Sequence, residues 1–141
     1  MFSLYSKSCK YAIRALVEIL GDGNKDSCRA RDICRKAEIP EAYARKTFQL
    51  LVRNGFLKAI TGPGGGYALN RDPKKTTVMD VLAAVEGEKH FTDCVLGLSV
   101  CSDTNPCPLH HIWLGVKKPL IKALESQTLA ELASEKRKKK S

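Results

Sequence analysis

A mainly α-helical chain carrying one small β-hairpin is what this sequence predicts, and three observations predict it. Apolar residues recur at helical spacing in three successive segments before Asn54-Gly55. Two short apolar runs then flank Thr61-Gly62-Pro63-Gly64-Gly65-Gly66, the pattern of a hairpin. A last segment, Leu109 to Ser126, returns to helical spacing. Of the 141 residues 43% are hydrophobic and only 6% aromatic, which suits a packed, aliphatic interior.

Ser6 can cap a first helix that reaches about Leu20, with Tyr11, Ala12, Ala15, Leu16, Ile19 and Leu20 on one face. Gly21-Asp22-Gly23-Asn24 ends it. A short helix follows from Ala30 to Ala37, then a tight connection, Glu38-Ile39-Pro40. The third helix starts near Glu41, where Pro40 fixes the entry, and stops at Asn54-Gly55. Two helices joined by so short a turn make a helix-turn-helix candidate.

At 100° per residue, Arg45, Gln49, Ala42, Arg53 and Lys46 fall within an arc of roughly 100°. Tyr43, Leu50, Thr47, Leu51, Ala44 and Phe48 occupy the other side. Guanidinium and amide groups pair with base edges, and Lys or Arg also neutralises phosphate. An ordinary amphipathic helix with a wet basic face has the same pattern. The hairpin that follows shifts the balance, with strands at Phe56–Ile60 and Tyr67–Leu69, because a hairpin behind the second helix makes a winged helix. Its tip, Thr61, Gly62, Pro63 and Gly64, lets backbone approach a sugar-phosphate strand closely. No Gly-Lys-Ser/Thr follows the glycines, so the turn is not a nucleotide loop.

Charge divides the chain in the same way. Residues 1–80 hold 15 Lys/Arg against 8 Asp/Glu, residues 81–135 hold 4 against 7, and the last six residues add 5 positive charges to a total of +9. A basic DNA-binding unit (1–80) is thus expected ahead of a second unit (81–135) and a basic, disordered tail (136–141). No apolar stretch nears the ~18 residues of a membrane span. The patch from Ala12 to Leu20 is broken by Arg14 and Glu18, unlike a signal peptide. A cytoplasmic protein is expected, and six cysteines are read as thiols or metal ligands before disulfides. No carboxylate pair, nucleophile–base pair or cofactor loop points to an enzyme.

In the second unit Thr77 and Asp80 form an imperfect capping box for a helix to about Val85. Leu109, Ile112, Trp113, Val116, Leu120, Ile121 and Leu124 line a helix roughly 27 Å long at 1.5 Å per residue. That is more apolar surface than a small domain covers, so a homodimer is expected, suited to twofold-related DNA half-sites. Pro119 is expected to kink or interrupt it. Between the two helices stand Cys94, Cys101 and Cys107 with His110 and His111. Thiolate and imidazole suit an iron–sulfur cluster, and Cys94-x6-Cys101-x5-Cys107-x3-His111 also falls close to a tetrahedral zinc set. A metal-free thiol switch among the six cysteines is the third option.

These landmarks resemble the bacterial IscR/NsrR-type winged-helix transcription regulators over nearly the whole chain. The matching residues are Ser6-Lys7…Tyr11-Ala12, Asn54-Gly55, Gly62-Pro63-Gly64-Gly65-Gly66-Tyr67, the three-cysteine segment, Cys107-x2-His110-x2-Trp113 and Thr128-Leu129-Ala130-Glu131-Leu132. The resemblance implies a homodimer on promoter DNA that senses iron–sulfur, redox or nitric oxide status. It implies a cluster on Cys94, Cys101, Cys107 and, as in the IscR branch, His110, with [2Fe–2S] ahead of [4Fe–4S]. Three departures matter. Lys10 stands where another branch has a carboxylate ligand. Cys9 beside it raises an all-cysteine set completed across the dimer. Thr61 stands where the wing often carries an arginine. Cys28 and Cys34 are expected to be buried small hydrophobes.

Overall fold

The computed structural model describes residues 6–21, 27–87 and 109–140. Its elements are α1 (Lys7–Gly21), α2 (Ala30–Ala37), α3 (Glu41–Arg53), β1 (Leu57–Ile60), β2 (Gly66–Leu69), α4 (Val78–Glu86), α5 (His110–Ser126) and α6 (Leu129–Lys140). The expected mainly helical chain with a hairpin wing is what forms.

α1 is the central helix and packs against α2, α3, α4 and α6. Being covered on several sides, it buries Cys9 and Val17 as well as the expected Ala12, Ala15, Leu16 and Ile19. Tyr11 and Leu20 are half-buried. Phe48 and Leu51 of α3, with Phe56 and Leu57, complete the core beneath it. Glu38 turns the chain between α2 and α3 with φ 56°. Ile39 plugs that turn and donates its N–H to Cys34 O at 2.9 Å.

Asn54 ends α3 by donating both its backbone N–H and its Nδ2 to Leu50 O. Gly55 leaves the helix at φ 78°. Arg71 closes this corner: its guanidinium lies 4.2 Å from the Phe56 ring centroid and donates to Asn54 O at 2.8 Å.

β1 and β2 pair antiparallel, from Leu57 opposite Leu69 to Ile60 opposite Gly66. A further bridge joins Cys28 to Tyr67, a pairing across 39 positions that no local pattern announces. The Tyr67 ring stacks on Phe48 at 4.5 Å and 7°, which fastens the wing to α3.

The box that opens α4 is complete. Thr77 N donates to Asp80 Oδ2 at 2.9 Å and Asp80 N to Thr77 Oγ1 at 3.2 Å. The aspartate is short but reaches. α5 passes through Pro119 without interruption, contrary to the expected break. Its partner four residues back is Gly115, and both are exposed, so water can take the carbonyl that proline leaves unbonded.

The backbone of α6 continues as far as Lys140. Ala, Leu, Glu, Lys and Arg all favour helix. Thr128 starts the helix, accepting from Glu131 N at 3.2 Å. Hydrogen bonds from Val78 N to Gln127 O and from Leu129 N to Thr76 O tie the starts of α4 and α6 together. No helix among the described residues is long and apolar enough to cross a membrane.

Candidate nucleic-acid interface and cysteine segment

α3 divides as its periodicity requires. Thr47, Phe48 and Leu51 are buried, whereas Ala42, Arg45, Lys46, Gln49 and Arg53 are all exposed. Arg45, Lys46 and Arg53 bring three positive charges to one side of one helix. A Thr47 Oγ1 hydrogen bond to Tyr43 O at 2.7 Å keeps the one polar residue of the inner face satisfied within the helix.

The wing tip is exposed at Thr61, Gly62, Pro63 and Gly64. It is closed by Gly65 N donating to Gly62 O at 2.9 Å. Gly62 and Gly64 have φ of 92° and 77°, angles that residues with a Cβ rarely adopt. Ser27 Oγ donates to Gly64 O at 2.7 Å, so the tip is braced from outside the hairpin. This bracing by residues 27 and 28 escapes a reading of the sequence, since it depends on long-range pairing.

Cys94, Cys101 and Cys107 lie outside the described residues. So does the side chain of His110, whose backbone opens α5; His111 is exposed. Among the described residues no three His, Cys, Asp or Glu side chains come together as a metal set. Any such set in this chain therefore includes at least one side chain outside those described. Three thiols and an imidazole are soft donors that fit an iron–sulfur cluster, and also zinc.

The ends of that segment are defined. α4 ends at Glu86 and α5 begins at His110, and the two helices pack together. Glu86 Oε1 accepts from Ser6 N at 2.8 Å and from Ser6 Oγ. Ser6 Oγ in turn accepts from Cys9 N at 3.2 Å and so caps α1, as expected. The residue that precedes the cysteine segment by two positions thus holds the start of the central helix.

The other cysteines differ in burial. Cys28 is buried in the main core, and Cys34 is half-buried against it. Burial, and then the Glu41 carboxylate, push the Cys34 thiol up. Cys9 is fully buried beside Val78 and Leu82. Burial, and secondarily the Glu86 carboxylate, push its thiol up from 9.0 to about 12. A protonated thiol inside its own subunit is ill suited to complete a partner's metal set. Because the folded state holds this proton more tightly, the contribution to stability is full below pH 9 and is lost as pH rises toward 12. We expect stability to fall less steeply from pH 9 upward in Cys9→Ala than in the parent chain, read by urea unfolding at successive pH values. Equal slopes would contradict the burial of this thiol.

α5 has two characters. Leu120, Ile121 and Leu124 pack toward Cys9, Val78 and Leu82. Ile112 and Val116, nearer its start, are 66% and 53% exposed.

The family model described as Rrf2, iron-dependent transcriptional regulator, matches residues 5–135. A helix-turn-helix-type transcriptional regulator of Haemophilus influenzae is 30% identical over 131 residues, covering 93% of this chain and 87% of the relative. The transcriptional regulator IscR of Klebsiella pneumoniae is 29% identical over 125 residues, 89% of this chain and 76% of its own. Among solved structures, CymR, the global cysteine regulator of B. subtilis, superposes with a TM-score of 0.77 over 95% of this chain and 98% of its own, at 24% identity. T. potens IscR gives 0.73 over 92% and 85%, at 23% identity. At those identities the two structures speak for the fold alone.

Proposed function

The chain belongs to the Rrf2 family of transcriptional regulators, and from that premise we propose a DNA-binding sensor that holds an iron–sulfur cluster on Cys94, Cys101, Cys107 and His110. In this reading Arg45, Lys46, Gln49 and Arg53, with Ala42 giving close approach, enter the major groove. Thr61, Gly62, Pro63 and Gly64 lie against the neighbouring backbone. A second copy covers the apolar stripe of α5 at Ile112 and Val116, and the dimer addresses paired half-sites. A division at residues 80 and 135, between DNA-binding unit, sensing and dimer unit, and basic end, is part of the same proposal.

The observation that carries the reading is the clasp between Glu86 and Ser6, because it links the cysteine segment to the DNA-binding helices. A cluster held in that segment would supply a centre that changes with redox state or nitric oxide. The rest is protein mechanics. Tension on the end of α4 reaches Ser6 through Glu86, and Ser6 is the cap of α1. α1 packs directly on α3, so a shift at its start alters how the basic face is presented. Two arrangements of the dimer that differ in this respect would differ in operator affinity.

A thiol-switch regulator is the competing account, since the fold is shared with CymR as well as with IscR. The donor set of residues 94–110 favours the cluster. Genomic fragments should be selected on protein purified without oxygen, and their affinities measured before and after chelation. We expect a difference of about tenfold, the middle of the usual coupling range. Equal affinities would remove the sensing half of the proposal.

A further inference from the structure

The wing tip, Thr61 to Gly64, carries no charge, so it offers a nucleic-acid strand only backbone and one hydroxyl. The sheet brings a cation to it from elsewhere in the chain. Cys28 and Tyr67 exchange backbone hydrogen bonds at 2.8 Å in both directions, which lays residues 27–29 along the free edge of β2. That antiparallel pairing sets Arg29 opposite Gly66. A Cβ at Gly66 would stand 3.0 Å from Arg29 N and 2.2 Å from Cys28 O, so nothing larger than glycine separates the two strands here. Side chains alternate along a strand, and Cys28 is buried. Arg29 accordingly points away from the core, and it is exposed. Arg31, also exposed, lines the cleft between α2 and α3 with Arg35, Glu41 and Ala44. Arg29 thus puts a cation beside the uncharged wing, and Arg31 puts a second on the α2 side of the cleft.

Stability does not explain an arginine at this place. Arg29 is the N-cap residue of α2 yet makes no side-chain cap hydrogen bond, where Ser, Thr, Asp or Asn would. The dipole of α2 also disfavours a cation at its start. We propose that Arg29, with Arg31 beside it, neutralises the DNA backbone phosphate that faces the wing. The assignment rests on the DNA-binding reading above and adds to it a sequence-independent contact that anchors the wing.

Arg29→Ser in the full-length chain separates this role from folding, because serine can cap α2. The expected melting temperature is unchanged or higher. Affinity for a random-sequence duplex is expected to drop about tenfold. The slope of log affinity against log salt should become shallower by about 0.9 for each phosphate that is no longer neutralised. Arg29→Lys should keep most of the affinity. Unchanged affinity and salt slope in Arg29→Ser would overturn the assignment, and so would a weakening that salt does not modulate. Lys46→Ala, measured alongside on the same duplex, distinguishes the failures. If it weakens binding and Arg29→Ser does not, only the wing contact falls. If neither does, the α3 reading falls with it.

Discussion

Cys101→Ala is expected to purify without oxygen as a colourless protein that remains folded and dimeric, whereas the parent chain is brown. A cluster held by three thiolates and one imidazole has no spare ligand. Cys9 is buried within the α1–α4–α5 layer, and that burial holds its thiol in the protonated form, so it is a poor substitute. Folding is expected to survive because the described core closes without residue 101. Leu16, Phe48, Leu51, Phe56, Val81 and Leu129 meet around α1, and α4 is started by its own capping box. Cys28→Ala and Cys34→Ala are the controls. Each should keep its colour, whatever it costs in packing. Visible absorption and the far-ultraviolet circular dichroism of the four proteins decide the matter. A Cys101→Ala protein with full absorbance would refute the ligand set. One that loses both zinc and its fold would point instead to a structural staple.

The second large effect is expected at α3. Arg45→Ala should cost about 1–3 kcal/mol of operator affinity, with discrimination lost at the base it reads. Lys46→Ala should weaken operator and random duplex alike and make the salt dependence shallower. Neither should disturb the fold, since both side chains are exposed and lie opposite Phe48 and Leu51. Fluorescence anisotropy at two salt concentrations separates the two roles. If both variants bind as the parent does, the reading face lies elsewhere on the molecule.

How far the chain could be read in advance follows from the range of the interactions. The division of α3 was legible because burial on a helix repeats every 3.6 residues, and all five outward residues named from the pattern are exposed. The wing was legible in its glycines. The helices read from the pattern stopped at Ser126, short of α6. The signal for α6 was nevertheless present in Thr128-x-x-Glu131, a capping pattern that the structure uses. Pairings between distant positions left no local trace. Cys28 pairs with Tyr67, Ser27 braces Gly64, and Ser6 meets Glu86 across 80 positions. Cys94, Cys101 and Cys107 lie outside the described residues, so the chemistry proposed for them rests on residue types alone, donor softness being a property of the side chain.

That chemistry is the centre of the account, and its most direct test is the metal itself. Protein purified without oxygen should be examined by visible absorption, with iron, sulfide and zinc assayed on the same sample. The account predicts a coloured protein with charge-transfer bands and matched iron and sulfide, two of each per chain for a [2Fe–2S] centre and four for a [4Fe–4S] one. A colourless protein with one zinc per chain, or one that stays metal-free after anaerobic reconstitution with iron and sulfide, would contradict it.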